Sequence, residues 1–286
     1  MPIDIITPHL LRDWPLPSAT GDDKHDRGTV LVVGGSRYTP GGVLLAGLAA
    51  LRAGAGRLQL AVTESTATAL SIAVPEAKVL GLPETAEGSV SADLPRALLE
   101  LAAGADAVAL GPGLDNIDET QKILDLVLPA TGPGTALVLD AYALGALSRR
   151  PEVLGTAKGG AVLTPNRTEA EHLLGRDLGD DLAVEAASLA ARYGAAVTLH
   201  GHVADPEGHV WREESGAAGL GTSGSGDVLA GLVAGLLARG CEPAQAACWA
   251  TYAHAVAGQR LAPRYGRTGY LAREIVDEVA YTIGTI

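Results

Sequence analysis

The most informative stretch of the chain is a glycine-rich run that ends in one carboxylate. Gly219, Gly221, Gly224 and Gly226 lie within eight residues, Asp227 follows, and the next eleven residues carry no charge. Apolar residues in that uncharged run recur at three- and four-residue steps, which predicts a buried helix with the carboxylate in its first turn. Such a helix start offers unpaired backbone N–H groups and the positive end of the macrodipole, which together form an anion site.

This pattern predicts a phosphoryl-transfer site. Glycines let a phosphate approach the backbone closely, and an acid beside the phosphate can take a proton from an attacking hydroxyl group. The alternative is a glycine-rich helix start with an ordinary acidic first turn. A ligand explains the glycines better, because so many of them are costly in conformational entropy.

Composition and charge narrow the class of protein. The 286 residues are 47% hydrophobic, with 37 glycines and no Phe, which favours a core of small aliphatic side chains. This length is compatible with one large domain over residues 1–286. A net charge of −12 argues against nucleic acid as a partner, since such proteins need a basic surface. A small anionic ligand remains compatible with this charge, because backbone amides can supply local positive potential.

The cysteines and the termini indicate a cytoplasmic protein. Cys241 and Cys248 are seven residues apart, which matches neither a zinc motif nor a disulfide framework. The first residues lack the basic-then-apolar pattern of a signal peptide. Since no apolar run approaches the ~20 residues of a membrane span, we expect no membrane association.

Short apolar runs alternate with helical patterns along the whole chain. This alternation predicts a mostly parallel sheet with helices on both faces, that is, an α/β fold. Residues 83–93 read as a loop, an insertion or a sheet edge. The predicted strands are 29–33, 58–62, 105–110, 136–139, 161–163 and 195–199. The predicted helices are 43–53, 120–128, 169–174, 183–193, 244–261 and 271–283, besides the helix after the glycine run.

Polar residues and glycines follow several of these strands directly. Because the carboxyl ends of parallel strands meet at one edge of a sheet, we expect them to converge on one crevice. They are Gly35, Gly113, Asp140, Asn166 and Gly201, with the glycine run before Asp227.

The motifs in this order resemble the NAD(P)H-hydrate dehydratases of the ribokinase-like superfamily. Gly-Ser-Gly-Asp alone indicates the superfamily, whereas the whole series is typical of the narrower family. The series is GTVLVVGGS at 28–36, PGGVLLAG at 40–47, LRAGAG at 51–56, GPGL at 111–114, VLDA at 138–141, LTP at 163–165 and TSGSGDVLAG at 222–231.

The resemblance implies a ribokinase-like three-layer sandwich and a repair reaction. Family members dehydrate (S)-NADHX and (S)-NADPHX, in which water has added to the nicotinamide ring, and they spend ADP in most bacteria or ATP in eukaryotes. On this basis Asp227 takes the proton of the C6 hydroxyl group. The amides near Gly224, Ser225 and Gly226 then hold the transferring phosphoryl group.

The remaining assignments are carried over position by position from the family. Val43 and Gly113 should line the hydrate pocket, with Asn166 close to the nicotinamide. The resemblance implies that Glu169, in Asn-Arg-Thr-Glu, organises Mg²⁺ through water. The alternative is a capping arrangement at a helix start that needs no ligand. For Asp140, a structural hydrogen bond and a contact with the water around a cation remain equally open.

The chain departs from the family pattern at the expected nucleotide-binding turn. Relatives carry Lys-Gly-x-x-Thr where this chain has His200 and Gly201, followed by a sequence without that Thr. Gly201 keeps its place, and His200 replaces the Lys as a candidate nucleotide contact. His200 and His202 would share one face if extended, but two His without a third ligand are weak evidence for a metal.

Two other functional interpretations stay open at this stage. One is a ribokinase-like kinase that phosphorylates a sugar, a vitamin or a thiazole alcohol, and the other is a catalytically silent nucleotide-binding protein. The family also suggests a homo-oligomer, a tetramer in particular. No epimerase domain is recognised in the sequence, so we expect a separate epimerase to act on the same substrate pool.

Overall fold

The computed structural model describes residues 2–17, 26–156, 159–216 and 218–286. Within these residues the strands are β1 (Asp4–Ile5), β2 (Thr29–Val33), β3 (Arg57–Thr63), β4 (Ala77–Leu82), β5 (Ala107–Leu110), β6 (Ala136–Leu139), β7 (Ala161–Leu163), β8 (Ala196–Leu199), β9 (His202–Ala204) and β10 (Val210–Arg212). The α-helices are α1 (Pro8–Asp13), α2 (Pro40–Arg52), α3 (Glu64–Ala73), α4 (Arg96–Ala103), α5 (Ile117–Val127), α6 (Tyr142–Arg149), α7 (Arg167–Leu174), α8 (Leu182–Tyr193), α9 (Ser225–Ala238), α10 (Pro243–Tyr265) and α11 (Ala272–Gly284).

All the strands join one sheet, in the order β1-β10-β9-β8-β7-β6-β5-β2-β3-β4. The seven strands from β8 to β4 in that order are parallel to their neighbours, whereas β9 is antiparallel to β8 and β10 is antiparallel to β9. The order reverses direction between β2 and β5. Ligands bind outside the carboxyl ends of the strands at such a switch point in open α/β sheets.

The sheet is covered on both faces, and its central strands are apolar at nearly every position. In β2, Val30 and Val32 belong to a core that includes side chains of α2, α9, α10 and α11. Leu31 and Val33 belong to a second core that includes side chains of α4 to α8. Each β2 residue is buried. The result is the expected α/β sandwich of helices, sheet and helices.

Helices α2 and α9 pack unusually closely, and small residues make this approach feasible. A Cβ on Gly231 would lie 2.1 Å from the Ala46 carbonyl oxygen, and one on Gly235 would lie 2.4 Å from the Ala50 carbonyl oxygen. Larger residues at these two glycines would therefore separate the helices. This packing fixes the start of α9 relative to the start of α2.

The predicted elements are present, and most helices begin one to three residues before the predicted start, whereas α11 begins at Ala272, one residue after it. The predicted 43–53 helix begins at Pro40 and the 244–261 helix begins at Pro243, since proline suits the first helical turn. Residues 83–93 hold only isolated bridges beside the edge strand β4, as expected for a loop at a sheet edge. In the described part of the chain, no helix combines the length and the apolar character needed to cross a membrane.

Candidate active site

Asp227 lies in the first turn of α9, as the sequence predicts. The helix is preceded by Gly224, whose φ of +86° lies in a region that favours glycine. A Cβ at Gly224 would also meet the Leu45 side chain at 2.5 Å. Both the backbone angle and the space therefore require glycine at this turn.

The Asp227 carboxylate faces backbone rather than side chains. A Cβ on Gly42, in the first turn of α2, would lie 3.0 Å from the Asp227 Oδ1 atom and 2.8 Å from the Gly113 nitrogen. Glycine at position 42 thus leaves space between the carboxylate and the turn after β5. A side chain at position 42 would therefore crowd both the carboxylate and this turn.

Asp227 has the properties of a base that works near neutral pH. Burial, and next the charge of Glu169, raise the pKa of the half-buried Asp227 to about 6. Among the described residues no side chain pairs with this carboxylate in a salt bridge. A base with a pKa near the working pH combines the correct protonation state with sufficient driving force for proton transfer.

The amides at the start of α9 form the anion site. The Ser225 N–H donates to the Thr222 carbonyl oxygen at 3.2 Å, and the Val228 N–H donates to the Gly224 carbonyl oxygen at 3.2 Å. Between them, Gly226 and Asp227 occupy positions whose N–H groups have no preceding turn of helix to bond to. These amides and the helix macrodipole favour a phosphoryl group there.

The His254 ring forms hydrogen bonds with Ser225. Its Nε2 atom lies 2.9 Å from Ser225 Oγ and 3.1 Å from the Ser225 carbonyl oxygen, which requires a proton on Nε2. Complete burial lowers the pKa of His254 to about 4, so the imidazole is neutral at physiological pH. The pair connects α10 to the anion site, and sequence reasoning missed it because the two residues are 29 positions apart.

Three carboxylates converge at this crevice. Asp140 follows β6, Glu169 lies in the first turn of α7, and Asp227 lies in the first turn of α9. Burial, then the charges of Asp227 and Glu169, raise the pKa of Asp140 to about 7. Burial likewise raises the pKa of Glu169. The cluster therefore favours a bound cation or a bound proton.

Asp140 is fixed by a constrained turn. Thr164 Oγ1 donates to Asp140 Oδ1 at 2.8 Å, so the expected structural hydrogen bond is present. Ala141, the next residue, has a φ of +49° and a ψ of −124°, which is strained for a residue with a Cβ. A Cβ on Gly111 would lie 1.8 Å from the Asp140 carbonyl oxygen. The backbone is thus tightly constrained around this carboxylate.

Asn166 and Glu169 form the capping box that the sequence allows as an alternative. Asn166 Oδ1 accepts from the Glu169 N–H at 3.0 Å, and Glu169 Oε2 accepts from the Asn166 N–H at 2.9 Å. This arrangement explains their spacing without a ligand. The charge of Glu169 nonetheless contributes to the raised pKa of both Asp140 and Asp227. The Glu169 carboxylate therefore caps α7 and also acts on the other two carboxyl groups of the crevice.

The donor set fits a hydrated cation rather than a directly ligated one. Within the described ranges, no three side chains of His, Cys, Asp or Glu are grouped closely enough to enclose a metal ion. Mg²⁺ commonly keeps several waters and uses one or two carboxylates together with substrate phosphates. Asp140 is only 5% exposed and has carboxylates as its charged neighbours, so a cation with its water shell would relieve a real repulsion.

Val43 and Gly113 lie on either side of the space beside Asp227. The Val43 side chain is fully buried, and its Cγ2 atom lies 3.0 Å from the position of a Cβ on Gly34. The Val43 side chain is therefore part of the core and has no exposed surface. Gly113 has a φ of +71°, and its carbonyl oxygen accepts from Thr39 Oγ1 at 2.6 Å.

His200 and Gly201 form the tight turn between β8 and β9. Leu199 pairs with His202, so His200 and His202 do not share one face of an extended strand. His200 has a φ of +47° and is exposed, and partial desolvation of its ring lowers its pKa. The Gly201 carbonyl oxygen accepts from the Glu213 N–H at 2.8 Å. This geometry gives no support to a metal site at the two histidines.

A cavity of about 500 Å³ opens beside the carboxylate cluster. Ala141 and Glu169 line it, so it adjoins the crevice that holds Asp140 and Asp227. Its walls otherwise come from the start of α5, from α6 and from α7. The further lining residues are Ile117, Tyr142, Gly145, Ser148, Arg149, Asn166, Thr168 and His172.

The sequence of this chain matches a known protein family over most of its length. The profile of the NAD(P)H-hydrate dehydratase family matches residues 30–280. An ADP-dependent (S)-NAD(P)H-hydrate dehydratase from Xanthomonas campestris pv. campestris is 45% identical over 283 residues, which is 96% of this chain and 94% of that protein.

Solved structures agree with the sequence matches. The ADP/ATP-dependent NAD(P)H-hydrate dehydratase from Bacillus subtilis, co-crystallised with ATP and Mg²⁺, has a TM-score of 0.83 at 27% identity, and the match covers 100% of this chain and 99% of that one. A ribokinase-like superfamily protein from Enterococcus faecalis has a TM-score of 0.83 at 23% identity, covering 99% and 96%. The second likeness concerns the fold, which is the expected ribokinase-like sandwich.

Proposed function

The chain belongs to the NAD(P)H-hydrate dehydratase family, and from that premise we propose that it restores NADH and NADPH from their hydrated forms. In these hydrates the nicotinamide ring carries a hydroxyl group at C6 and an extra hydrogen at C5. The observation that carries the proposal is the Asp227 carboxylate, half-buried at an anion-binding helix start and facing the space beside Gly42 and Gly113.

Phosphorylation is the first step, because hydroxide is a poor leaving group. Asp227 accepts the proton of the C6 hydroxyl group while the oxygen attacks the terminal phosphorus of the nucleotide. The bond from that phosphorus to the bridging oxygen breaks, which releases AMP from ADP or ADP from ATP. The amides of Gly226 and Asp227 stabilise the charge on the transferring group.

Elimination is the second step. The lone pair of the ring nitrogen expels inorganic phosphate from C6, and loss of a proton from C5 restores the 5,6 double bond. The overall change converts hydrate and nucleoside diphosphate into dihydronicotinamide, nucleoside monophosphate and phosphate.

Asp140 and Glu169 are the carboxylates placed to hold the water shell of a magnesium ion bound with the nucleotide. When bound, such an ion screens the negative charge of the phosphates. Glu169 keeps its capping role, since its two oxygens can serve the Asn166 amide and the water shell together. The cation also offsets the mutual repulsion that raises the pKa of Asp140.

The phosphoryl donor binds at the glycine turn and at the turn between β8 and β9. Gly201, Gly224, Ser225 and Gly226 supply backbone contacts, and His200 takes the place that Lys holds in relatives. Val43 and Gly113 contact the hydrate through backbone atoms, with Asn166 near the ring. We further propose a homotetramer in the cytoplasm and a separate epimerase that acts on the same hydrates.

The decisive test uses pure protein, Mg²⁺ and hydrated NADH, with ADP and ATP offered in separate reactions. Dihydronicotinamide absorbance should return, with one phosphate released for each molecule restored. Asp227→Asn keeps the shape of the side chain but removes the base, so turnover should fall by about 10²–10⁴. A circular dichroism spectrum equal to that of the wild type would show that the variant is folded.

Other outcomes would contradict this function. A stable phosphoester without phosphate release would identify a small-molecule kinase. Nucleotide binding without turnover of any hydrate would identify a silent nucleotide-binding protein. An Asp227→Asn variant that keeps more than about a tenth of the wild-type rate would exclude Asp227 as the base.

A further inference from the structure

Apart from Asn166 and Glu169, the residues that line the cavity between α6 and α7 have no role in the chemistry described so far. It adjoins the crevice through Glu169 and Ala141, and its volume of about 500 Å³ lies within the range of ligand pockets. The glycine turn and the turn at Gly201 lie on other elements, the start of α9 and the β8–β9 connection.

The lining of this cavity combines a flat ring with one guanidinium group. Tyr142 is 43% exposed at the start of α6, so its ring is available for stacking. Arg149 ends the same helix and His172 lies on α7, and both line the cavity. In a chain with a net charge of −12, a guanidinium group in the wall of a pocket favours an anion there.

The ion pair with Asp118 occupies only part of the Arg149 guanidinium group. Its Nη1 atom lies 2.7 Å from Asp118 Oδ1, but the side chains of Arg149 and Asp118 are 50% and 76% exposed. An exposed pair of this kind contributes little stability. The guanidinium group has further N–H donors, which suit the oxygens of a phosphate group.

We infer that this cavity binds the phosphate-bearing adenosine half of the dinucleotide, with Tyr142 against the adenine and Arg149 on a phosphate. This inference rests on the proposed function for the identity of the substrate. It adds a specificity site that lies outside the reacting centre. Asp118 competes with the phosphate for Arg149, and His172 supplies a second donor across the cavity.

The test compares two substrates that share the reacting ring. Hydrated NADPH carries the adenosine half, whereas hydrated reduced nicotinamide mononucleotide lacks it. Arg149→Ala should raise the KM for the dinucleotide by about tenfold, as expected for the loss of a charge-assisted hydrogen bond, and raise it far less for the mononucleotide. Asp118→Asn should lower the KM for the dinucleotide, because it frees the guanidinium group.

Arg150→Ala is the matched control. Arg150 is the next residue and is also ion-paired, with Asp125 and Glu152, but it does not line the cavity. This variant should leave both KM values unchanged. Equal effects of Arg149→Ala on both substrates, or no effect on either, would overturn the inference.

A binding measurement separates this inference from the proposed function. Calorimetry would titrate 2′-phospho-ADP-ribose into protein whose donor site is filled with a non-hydrolysable ATP analogue and Mg²⁺. Arg149→Ala should weaken binding about tenfold relative to wild type and to Arg150→Ala. If the wild type repairs no hydrate, the proposed function fails, whereas loss of this affinity difference refutes the cavity assignment alone.

Discussion

Replacing Asp140 with Asn should make the protein more stable, although the residue lies in the crevice. Asp140 is 5% exposed, and burial together with the charges of Asp227 and Glu169 raises its pKa from 3.8 to about 7. Three pKa units correspond to about 4 kcal/mol between the two protonation states. Asn is close in shape, and its amide oxygen can still accept the hydrogen bond from Thr164.

The sign follows from proton linkage. An acid with a raised pKa in the folded state binds its proton more tightly there, so its stabilising contribution is complete below pH 4. That contribution is lost as the pH rises toward 7. The free energy of unfolding of Asp140→Asn, minus that of the wild type, should therefore climb across this window by up to about 4 kcal/mol.

Urea unfolding followed by tryptophan fluorescence between pH 4.5 and 8.5, with EDTA present, measures this difference. Taking the difference removes the contribution of His254, which both proteins share. The lowered pKa of His254 gives a stability that is lost in the opposite direction, as the pH falls from 6.5 toward 4. The prediction concerns how this difference in the free energy of unfolding changes with pH, not its value at any one pH.

Asp205→Asn is the control. Asp205 is a buried carboxylate that accepts from the His209 backbone N–H at 2.8 Å and lies 2.8 Å from His209 Nδ1. Since it has partners, its removal should give no gain at pH 8. A difference curve for Asp140→Asn that stays flat from pH 4.5 to 8.5 would refute the raised pKa of Asp140, to which burial contributes most and the charges of Asp227 and Glu169 contribute next. Mg²⁺ with nucleotide should narrow the gap, because the cation offsets the repulsion among these carboxylates.

Two further predictions concern the base and its support. Glu169→Gln should move the acid limb of kcat/KM, expected near the Asp227 pKa of about 6, to lower pH, because the charge of Glu169 contributes to that raised value and Gln still fits the capping box. A limb that stays in place or moves up, measured from pH 4.5 to 8, would contradict this coupling. His254→Phe should lower kcat by roughly tenfold, about 1.4 kcal/mol, because Ser225 loses its buried partner. His254→Gln, which can still donate, should recover part of that loss, whereas equal defects in both variants would indicate packing alone.

The buried strands could be read directly from the sequence. Strands β2, β6 and β7 begin and end at the predicted residues, because strands covered on both faces appear as short, continuous apolar runs. Strand β4 was missed for the converse reason. It is an edge strand with mostly half-buried side chains and an exposed Lys78, so its sequence lacks such a run.

Helix α6 was not predicted either, because no residue in the sequence marks where it begins. It begins directly after Asp140 through Ala141, whose positive φ is a conformation that an alanine in the sequence does not indicate. No capping side chain and no preceding proline mark the boundary. The cavity beside α6 was therefore beyond sequence reasoning, along with its lining by Tyr142 and Arg149.

The candidate site was predictable where the chemistry is local. The position of Asp227 in a first helical turn follows from the glycines and the apolar run, and the structure confirms it. The contact of His254 with Ser225 depends on how α10 packs against α9, which the helical pattern alone does not fix. The spacing of Asn166 and Glu169 allowed both a cap and a ligand site, and only the coordinates reveal the capping box.

Burial of the carboxylates links stability to reactivity at this site. Low exposure raises the pKa of Asp227 into the range where a carboxylate accepts a proton effectively near neutral pH, whereas an exposed aspartate is a much weaker base. The same burial makes Asp140 and Asp227 costly to ionise in the absence of a cation. When a nucleotide binds together with a cation, the cation offsets this cost of ionising the two carboxyl groups. The cost is therefore offset only while the phosphoryl donor is bound. The base strength of Asp227 and the cost of ionising Asp140 therefore share one cause, which is burial. A variant that relieves the repulsion among these carboxylates should be more stable and less active.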